Sequence, residues 1–320
     1  MKRLSLTLAC TASDRTRPVL DGRVAVPGVE LVALPGEPED IFRRALRDRA
    51  FDVSELSMGS HIVTTARGDA PYVGVPVFPS RAFRHSAVYI RTDLGIAGPA
   101  DLAGRTVALP EYQQTAALWV RGILREHHGV DTRSIAWRTG GERVPINLPR
   151  GLDVQPLGED PQAALAAGRV DALVAPRPPA AFEDGSAPVA RLWPDHRAEE
   201  VAWHRATGFF PIMHCLAVRR DVAERHPWLP VELFRAFARA RAMALAELRL
   251  VNVLRVSLPW AAAAFEEQAA LMGGDPWPYG FARNRDEIAA MVRFAVADGL
   301  AAEAIPPEAL FHPSTLGEPA

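Results

Sequence analysis

Lysine is almost missing from this chain. Of the 36 basic residues among its 320 positions, only Lys2 is a lysine, and all the others are arginines. A catalytic Schiff base needs a lysine amine, and a lysine beside the start of the chain is a poor candidate for that role. Arginine instead binds carboxylates through a planar pair of N–H donors. We therefore expect anion recognition by arginine rather than amine chemistry.

Cysteine and long apolar runs are also scarce. The two cysteines, Cys10 and Cys215, are too few for a disulfide framework and show no zinc-ligand spacing, so we predict two buried thiols. No stretch reaches the ~18 apolar residues of a membrane span. The formal net charge of −2 gives no reason to expect nucleic acid or an anionic membrane as a partner.

Several sequence motifs that mark common enzyme classes are absent. The chain has no GxGxxG, no GxxxxGK[ST], no HExxH and no GxSxG. Nucleotide-cofactor, phosphate-loop, zinc-peptidase and serine-hydrolase functions therefore lack support. We predict that no cofactor is needed. A divalent metal is left open, because no ligand spacing signals one.

The first residues alternate rather than form a signal sequence. The apolar stretch at residues 4–9 is shorter than the ~7–15 residues of a signal core, and it contains Ser5 and Thr7. Leucines alternating with polar residues indicate a first strand. We therefore expect a cytoplasmic protein without a transport role outside the cell.

Strands and helices alternate along the chain, which predicts an α/β fold with a largely parallel sheet and helices on its faces. The chain then divides into two lobes joined by two crossing segments. We assign residues 1–91 and 211–320 to lobe I and residues 92–210 to an inserted lobe II. The crossings form a hinge, and ligand is expected in the cleft between the lobes. The main helices are predicted at residues 39–49, 60–68, 115–128, 231–250, 258–271 and 286–300.

Residues 80–86 follow a strand beside the proposed hinge and are the first candidate site. Arg81 and Arg84 could each hold a carboxylate, and His85 could exchange protons near neutral pH. Phe83 and Ser86 are included as substrate-binding residues. The alternative is a solvated loop with ordinary surface arginines.

A strand-to-helix turn supplies the second candidate, which comprises Tyr112, Gln113, Gln114 and Thr115. In open α/β sheets, ligands lie outside the carboxyl ends of strands, and free N–H groups at a helix start favour an anion. The alternative is a capping turn with no ligand.

Two further segments complete the predicted site. In residues 54–60, the Ser57 hydroxyl suits a small anion or a hydroxylated ring, and Glu55 could carry a proton if buried. At the return crossing, Phe210 suits a flat ring and His214 is a second candidate proton donor. The alternatives are a simple helix cap and a core histidine in a hinge strand.

These segments together resemble the 4,5-dihydroxyphthalate decarboxylase family. The resemblance runs through nearly the whole chain in order. It rests on FDVSELS at residues 51–57, RxFRHS at 81–86, PEYQQTA at 110–116, PIMH at 211–214, and WPYG at 277–280 followed by Asn284-Arg285.

The resemblance implies a two-lobed fold of the type II periplasmic-binding-protein kind. It also implies non-oxidative loss of carbon dioxide from a hydroxylated aromatic dicarboxylate, with 4,5-dihydroxyphthalate to protocatechuate as the type reaction. Two alternatives stay open: a non-catalytic binding protein for a small carboxylate, and a biosynthetic enzyme acting on a different ring. The expected partner is a small aromatic carboxylate, and a homo-oligomer is possible.

Overall fold

Two separate β-sheets form the two lobes. The computed structural model describes residues 3–319, so Lys2 lies outside the described residues. The first sheet has the strand order β2-β1-β3-β11-β4. Its strands are β1 (Leu4–Cys10), β2 (Val29–Pro35), β3 (Val53–Ser57), β4 (Tyr72–Arg81) and β11 (Ile212–Arg219). The second sheet has the order β10-β5-β9-β6-β7-β8. Its strands are β5 (Val88–Arg91), β6 (Thr106–Leu109), β7 (Ala136–Thr139), β8 (Val154–Pro156), β9 (Ala172–Val174) and β10 (Val189–Arg191).

Strand direction in the first sheet is mixed. Strand β1 pairs in parallel with β2 and β3, as the alternation of strands and helices predicts. Strand β11 instead runs antiparallel to both β3 and β4. Strands β1 to β4 therefore all run in the same direction, as expected for a largely parallel sheet, and β11 is the exception. The reason is that β11 returns from the second lobe and enters the first sheet from its opposite end.

Helices cover the faces of both sheets. In the first lobe they are α1 (Arg17–Leu20), α2 (Pro38–Asp48), α3 (Met58–Arg67), α8 (Arg220–Arg225), α9 (Leu229–Leu248), α10 (Ala261–Leu271) and α11 (Phe281–Ala297). In the second lobe they are α4 (Thr115–His128), α5 (Pro161–Ala166), α6 (Ala180–Glu183) and α7 (His196–Thr207).

Some helix boundaries differ from the predictions for local reasons. Helix α3 is capped by Ser57, whose side chain accepts from the Ser60 N–H, so the helix begins at Met58 rather than at the predicted residue 60. Helix α10 begins after Pro259 rather than before it, and α11 begins five residues before the predicted start at residue 286. Helix α7 was not predicted, because Trp203 is its one buried residue and its apolar periodicity is weak.

The two crossings between the lobes lie side by side. The first connects β4 to β5 and the second precedes β11, and the Ala82 N–H donates to the Pro211 carbonyl at 3.1 Å. Strand β5 hydrogen-bonds to β9 and β10 in the second sheet. The predicted boundary after residue 91 therefore comes too late, since the chain has already crossed by Val88.

Helix α4 holds the second lobe against the first. The Trp119 indole N–H donates to the Ile212 carbonyl at 2.9 Å, and Arg121 forms a buried ion pair of 2.6 Å with Asp298 at the end of α11. A Cβ on Gly59 would collide with the backbone just before α4, so α3 and α4 begin in direct contact. These contacts bring the start of both helices to the cleft.

Among residues 3–319, no helix has the length and apolar character needed to cross a bilayer.

Candidate active site

A small cavity lies between the lobes where both crossings meet the first turns of α2, α3 and α4. Its volume is about 220 Å³. That is smaller than a typical site for a drug-sized ligand and suits a single ring. Its walls are formed by Pro38, Glu39, Phe42, Ser57, Arg84, Gln114, Thr115, Ala116, Arg143, Pro176, Arg177, Met213 and His214.

His214 and Glu55 form a hydrogen-bonded pair in the wall of this cavity. Their strands β11 and β3 are neighbours, and the His214 Nδ1 lies 2.6 Å from the Glu55 Oε1. Glu55 is 1% exposed, whereas the His214 side chain is 17% exposed and lines the cavity. The histidine therefore faces the ligand space, and the carboxylate lies behind it.

Glu55 stays ionised in spite of its burial. Burial alone would raise the pKa of Glu55, but the hydrogen bond and charge of His214 and the Thr11 N–H outweigh it, so the pKa lies below the usual value. The Cys10 thiol also approaches Glu55, at 3.4 Å, and burial raises the pKa of Cys10. A carboxylate accepting from Nδ1 orients the imidazole and leaves Nε2 for the cavity. Both cysteines are buried and unbridged, as predicted.

Arg84 is the cationic group of the cavity that has no carboxylate partner. Its Nε donates to the Met213 sulfur at 3.0 Å, and no ion pair of Arg84 occurs within residues 3–319. Burial lowers the pKa of Arg84 to about 10, with the more distant Glu200 opposing that effect. The guanidinium remains charged at neutral pH, and a ligand carboxylate would be its natural partner.

Hydroxyl and amide groups line the side of the cavity formed by the helix starts. The Ser57 and Thr115 hydroxyls are 2.9 Å apart and connect β3 to the start of α4. The Gly59 N–H also donates to the Thr115 hydroxyl, at 3.0 Å. The buried Gln114 Oε1 has no hydrogen-bond partner within the described residues. This side can therefore donate to and accept from a hydroxylated ring.

The second lobe contributes a further arginine that the predictions missed. Arg143 pairs with Glu111 at 2.8 Å, and its guanidinium lies 5.3 Å from the centre of the Phe42 ring. Phe42 in turn contacts the His214 ring edge-to-face, with centroids 4.7 Å apart. The sequence feature that could have indicated Arg143 is the cluster of charged residues that begins at Glu142, in a segment with the pattern of an irregular loop.

A larger cavity of about 600 Å³ opens beyond the small one and shares Glu39, Gln114, Arg143 and Arg177 with it. Arg177 of the second lobe pairs across its mouth with Glu39, at 3.3 Å. Burial, reinforced by the charge of Glu111, raises the pKa of Glu142 to about 7. The route from solvent to the small cavity is therefore lined by charges of both signs.

Arg81 does not lie at the cavity, although it is three residues from Arg84. Its guanidinium pairs with Glu287 at 3.2 Å and donates to the Pro278 carbonyl at 2.8 Å and to the Asn284 side chain. These protein acceptors replace the ligand carboxylate that was predicted for Arg81. Within residues 277–284, Pro278 and Asn284 thus hold the Arg81 guanidinium in place.

His85 is enclosed behind the cavity instead of lining it. Its ring lies between Trp193 and Trp203, at centroid distances of 5.1 and 5.8 Å, and both ring nitrogens lack partners within residues 3–319. Burial lowers the pKa of His85 to about 3. A neutral, enclosed imidazole corrects the expectation that His85 faces the ligand.

Five other predicted residues also lie outside the small cavity. Phe83 and Phe210 pack on each other, with centroids 4.9 Å apart, and the Ser86 N–H donates to Glu200. Tyr112 is buried and its hydroxyl reaches the Asp298 carbonyl, while Gln113 is fully buried. These side chains support the crossings and the α4 turn from behind. The predicted residues that the structure brings together are Glu55, Ser57, Arg84, Gln114, Thr115 and His214.

No group of three or more His, Cys, Asp or Glu side chains within residues 3–319 is arranged to hold a metal ion.

Comparison with known proteins now identifies the family. No family model matches the chain. A 4,5-dihydroxyphthalate decarboxylase from Comamonas testosteroni is 42% identical over 325 aligned residues, covering 99% of this chain and 98% of the relative. The chain belongs to the 4,5-dihydroxyphthalate decarboxylase family. A second member, from Pseudomonas putida, is 41% identical over 218 residues, covering 65% of this chain and 84% of the relative.

Solved structures place this family member in the fold of periplasmic binding proteins. A sulfonate-binding protein from Methylobacillus flagellatus aligns with a TM-score of 0.58 at 14% identity, covering 98% of this chain and 93% of the other. The aliphatic sulphonate binding protein of Escherichia coli aligns with a TM-score of 0.54 at 15% identity, covering 99% and 92%. The predicted two-lobed fold is confirmed, and at such low identity the likeness concerns the fold alone.

Proposed function

We propose that this protein decarboxylates 4,5-dihydroxyphthalate to protocatechuate in the small cavity between the lobes. The observation that carries the proposal is one cavity lined by Arg84, an arginine without an ion-pair partner among the described residues, and by His214, which Glu55 holds from behind. Membership of the decarboxylase family supports the same reaction. Decarboxylation of this substrate needs a cation to hold a carboxylate, a group that carries a proton, and groups that bind the ring hydroxyls.

Two guanidiniums suit the two adjacent carboxylates of the substrate. Arg84 comes from the first crossing, and Arg143 comes from a loop of the second lobe, and both line the cavity. Arg84 has no competing carboxylate, so it is the stronger candidate for holding the carboxylate that remains. Arg143 is oriented by Glu111 and lies at the passage to the larger cavity.

His214 is the proposed proton donor, and Glu55 positions it. A carboxylate can only accept, so the Nδ1–H donates to Glu55 and Nε2 is presented to the cavity. In the doubly protonated ring, whose positive charge the Glu55 carboxylate balances, Nε2 carries the second proton. Nε2 delivers this proton to the ring carbon that bears the departing carboxylate, which leaves His214 neutral. Electron density from the ring hydroxyl para to that carbon stabilises the protonated ring. The bond to the carboxylate then breaks, its electron pair restores the aromatic ring, and carbon dioxide leaves.

The hydroxyl groups of the substrate would lie against the helix starts. Ser57, Gln114 and Thr115 line that part of the cavity and provide both donors and acceptors. Glu55, at 1% exposed, would not reach a ring hydroxyl directly. Of the two candidate proton donors, we propose His214 rather than His85, since His214 lines the cavity and His85 does not.

The proposal is tested by incubating purified protein with 4,5-dihydroxyphthalate and measuring carbon dioxide and protocatechuate. His214→Gln should lower kcat by about 10²–10⁴-fold, the usual contribution of a positioned proton donor. His85→Gln is the matched control and should keep most of the activity. Absence of turnover across several hydroxybenzoates and phthalates, with and without added divalent metal, would refute the proposal.

A non-catalytic binding role is the second candidate, and the fold of the sulfonate-binding proteins favours it. Arg84 would then hold a carboxylate without further reaction. A thermal-shift screen against aromatic and aliphatic acids, followed by chemical analysis of the recovered ligand, separates the two. Stabilisation with the ligand recovered unchanged favours binding, and stabilisation with conversion favours catalysis.

A further inference from the structure

A ten-residue segment between helices α9 and α10 exposes far more apolar surface than the rest of the molecule. All ten residues from Val251 to Trp260 are exposed. Six of them are large and apolar, among them Val251 at 77%, Leu258 at 63% and Trp260 at 79%. The other exposed large apolar side chains of the described chain are Val32, Leu34, Trp228 and Met243. We call residues 251–260 the apolar segment.

The apolar segment is not held by the lobe that carries it. Within the described chain, residues 251–257 make no backbone hydrogen bond, and the nearest ones join Leu250 to Glu247 and Ala261 to Leu258. Neither Asn252 nor Ser257 finds a side-chain partner. Bulky apolar side chains that face water are costly for an isolated chain. A partner surface would cover them.

The exposed area is close to what a stable dimer needs from each copy. A fully exposed aliphatic side chain offers roughly 150 Å² and tryptophan up to about 250 Å². At their observed exposures the six apolar residues present about 600 Å², the upper end of the largest patch on a typical monomer. A standard interface buries about 800 Å² per partner. The segment therefore supplies most of one half of such an interface.

Charges around the segment favour a second copy of this chain as the partner. The exposed Arg249 and Arg255 are in or beside the segment, and no acidic residue occurs within it. The exposed Glu266 on α10 has no ion pair within residues 3–319, and Glu247 on α9 has none either. In a two-fold arrangement each copy meets the same patch, so these arginines can face the glutamates of the other copy.

We propose that the apolar segment forms a two-fold interface between two copies of this chain. The segment lies on the first lobe, between α9 and α10, and none of its residues lines the cleft cavity. Association would order the segment and cover its valines, leucines and tryptophan. The proposal does not depend on the proposed decarboxylation, because it rests on the surface alone.

Sedimentation equilibrium of the full chain and two double variants tests the proposal. The wild type should be a dimer or a multiple of a dimer at micromolar concentration. Leu258→Ser with Trp260→Ser should weaken association at least about 100-fold, because large central side chains dominate interfaces. Leu34→Ser with Trp228→Ser is the matched control, since it removes the same residue types from exposed sites elsewhere, and it should associate like the wild type.

A cross-linking measurement provides an independent readout. Both native cysteines are buried, so Ser257→Cys introduces the one accessible thiol of the described chain. A short bismaleimide should join two copies through this thiol in the wild-type background and fail to do so when Leu258→Ser and Trp260→Ser are added. Circular dichroism and urea midpoints verify that each variant is folded.

Three results would overturn the proposal. The first is a wild type that remains monomeric at about 100 μM. The second is unchanged association of the Leu258→Ser and Trp260→Ser variant. The third is a monomeric wild type that co-sediments with phosphatidylcholine–phosphatidylserine vesicles through the apolar segment, which would assign the surface to a membrane.

Discussion

Replacing Arg84 by methionine should make the ligand-free protein more stable while lowering its activity. Burial lowers the pKa of Arg84 from 12.5 to about 10. A guanidinium whose pKa is lower in the folded state remains charged at pH 7, and the folded state carries the full cost of burying that charge. One pKa unit corresponds to about 1.4 kcal/mol, so the cost is about 3 kcal/mol.

Methionine keeps most of the volume and removes this cost. The contact from Arg84 Nε to the Met213 sulfur is lost, and partial exposure of Arg84 reduces the gain. We therefore expect Arg84→Met to stabilise the protein by about 1–3 kcal/mol, or roughly 2–6 °C in Tm for a chain of this size. Loss of a charge-assisted bond to the substrate should lower kcat/KM by about 10²-fold.

Arg81→Met is the matched comparison, because the same substitution three residues earlier should have the opposite effect on stability. It removes the partner of the buried Glu287, and breaking a buried ion pair from one side costs about 3–5 kcal/mol. Urea unfolding at pH 7 without ligand measures both variants, and protocatechuate formation measures activity. Our reasoning fails if Arg84→Met is less stable than wild type by about 1 kcal/mol or more, or retains wild-type kcat/KM.

Three further predictions concern the His214 pair, the junction of the lobes and acid stability. Glu55→Gln should lower kcat by about 10²-fold or more with little change in KM, since Glu55 acts through His214; steady-state kinetics checks this. Gly59→Ala should destabilise the protein by about 3 kcal/mol or more in urea unfolding, because its Cβ would collide with the backbone before α4, whereas Gly98→Ala enters open space and should be nearly neutral. Burial lowers the pKa of His85 from 6.5 to about 3, so below pH 6.5 the unfolded chain takes up a proton that the folded chain does not. The free energy of unfolding should therefore fall by about 1.4 kcal/mol for each pH unit below 6.5. His85→Phe should therefore flatten the fall in urea midpoint between pH 7 and pH 5.

The architecture was largely predictable because it depends on local patterns. The alternating leucines predicted strand β1, and the helix Thr115–His128 was predicted with its observed bounds. What local patterns could not give was the direction of β11. That direction follows from the path of the chain through the second lobe, and nothing within residues 212–219 encodes it.

Six of the thirteen predicted site residues lie at the cavity or directly behind it, and most of them share a physical reason for being there. Glu55, Ser57, Gln114 and Thr115 lie at strand ends or helix starts, which meet at the cleft in this type of fold. Neighbouring residues on the same turns are buried away from the cavity, as Gln113 is. Residue type predicts that a turn belongs to a site more reliably than it predicts which side chain faces the ligand.

Arg81 and Arg84 illustrate this limit most clearly. Both are arginines in one short segment, and composition gives no reason to separate them. Arg81 is the last residue of β4 and pairs with Ile212, which directs it toward α11, where Glu287 lies 206 residues away in sequence. Arg84 lies beyond the strand, on the crossing, where no such carboxylate is within reach. The same side chain therefore acts as a structural ion pair at one position and as a free binding group at the other. The opposite stability effects expected for the two methionine variants follow directly from that difference.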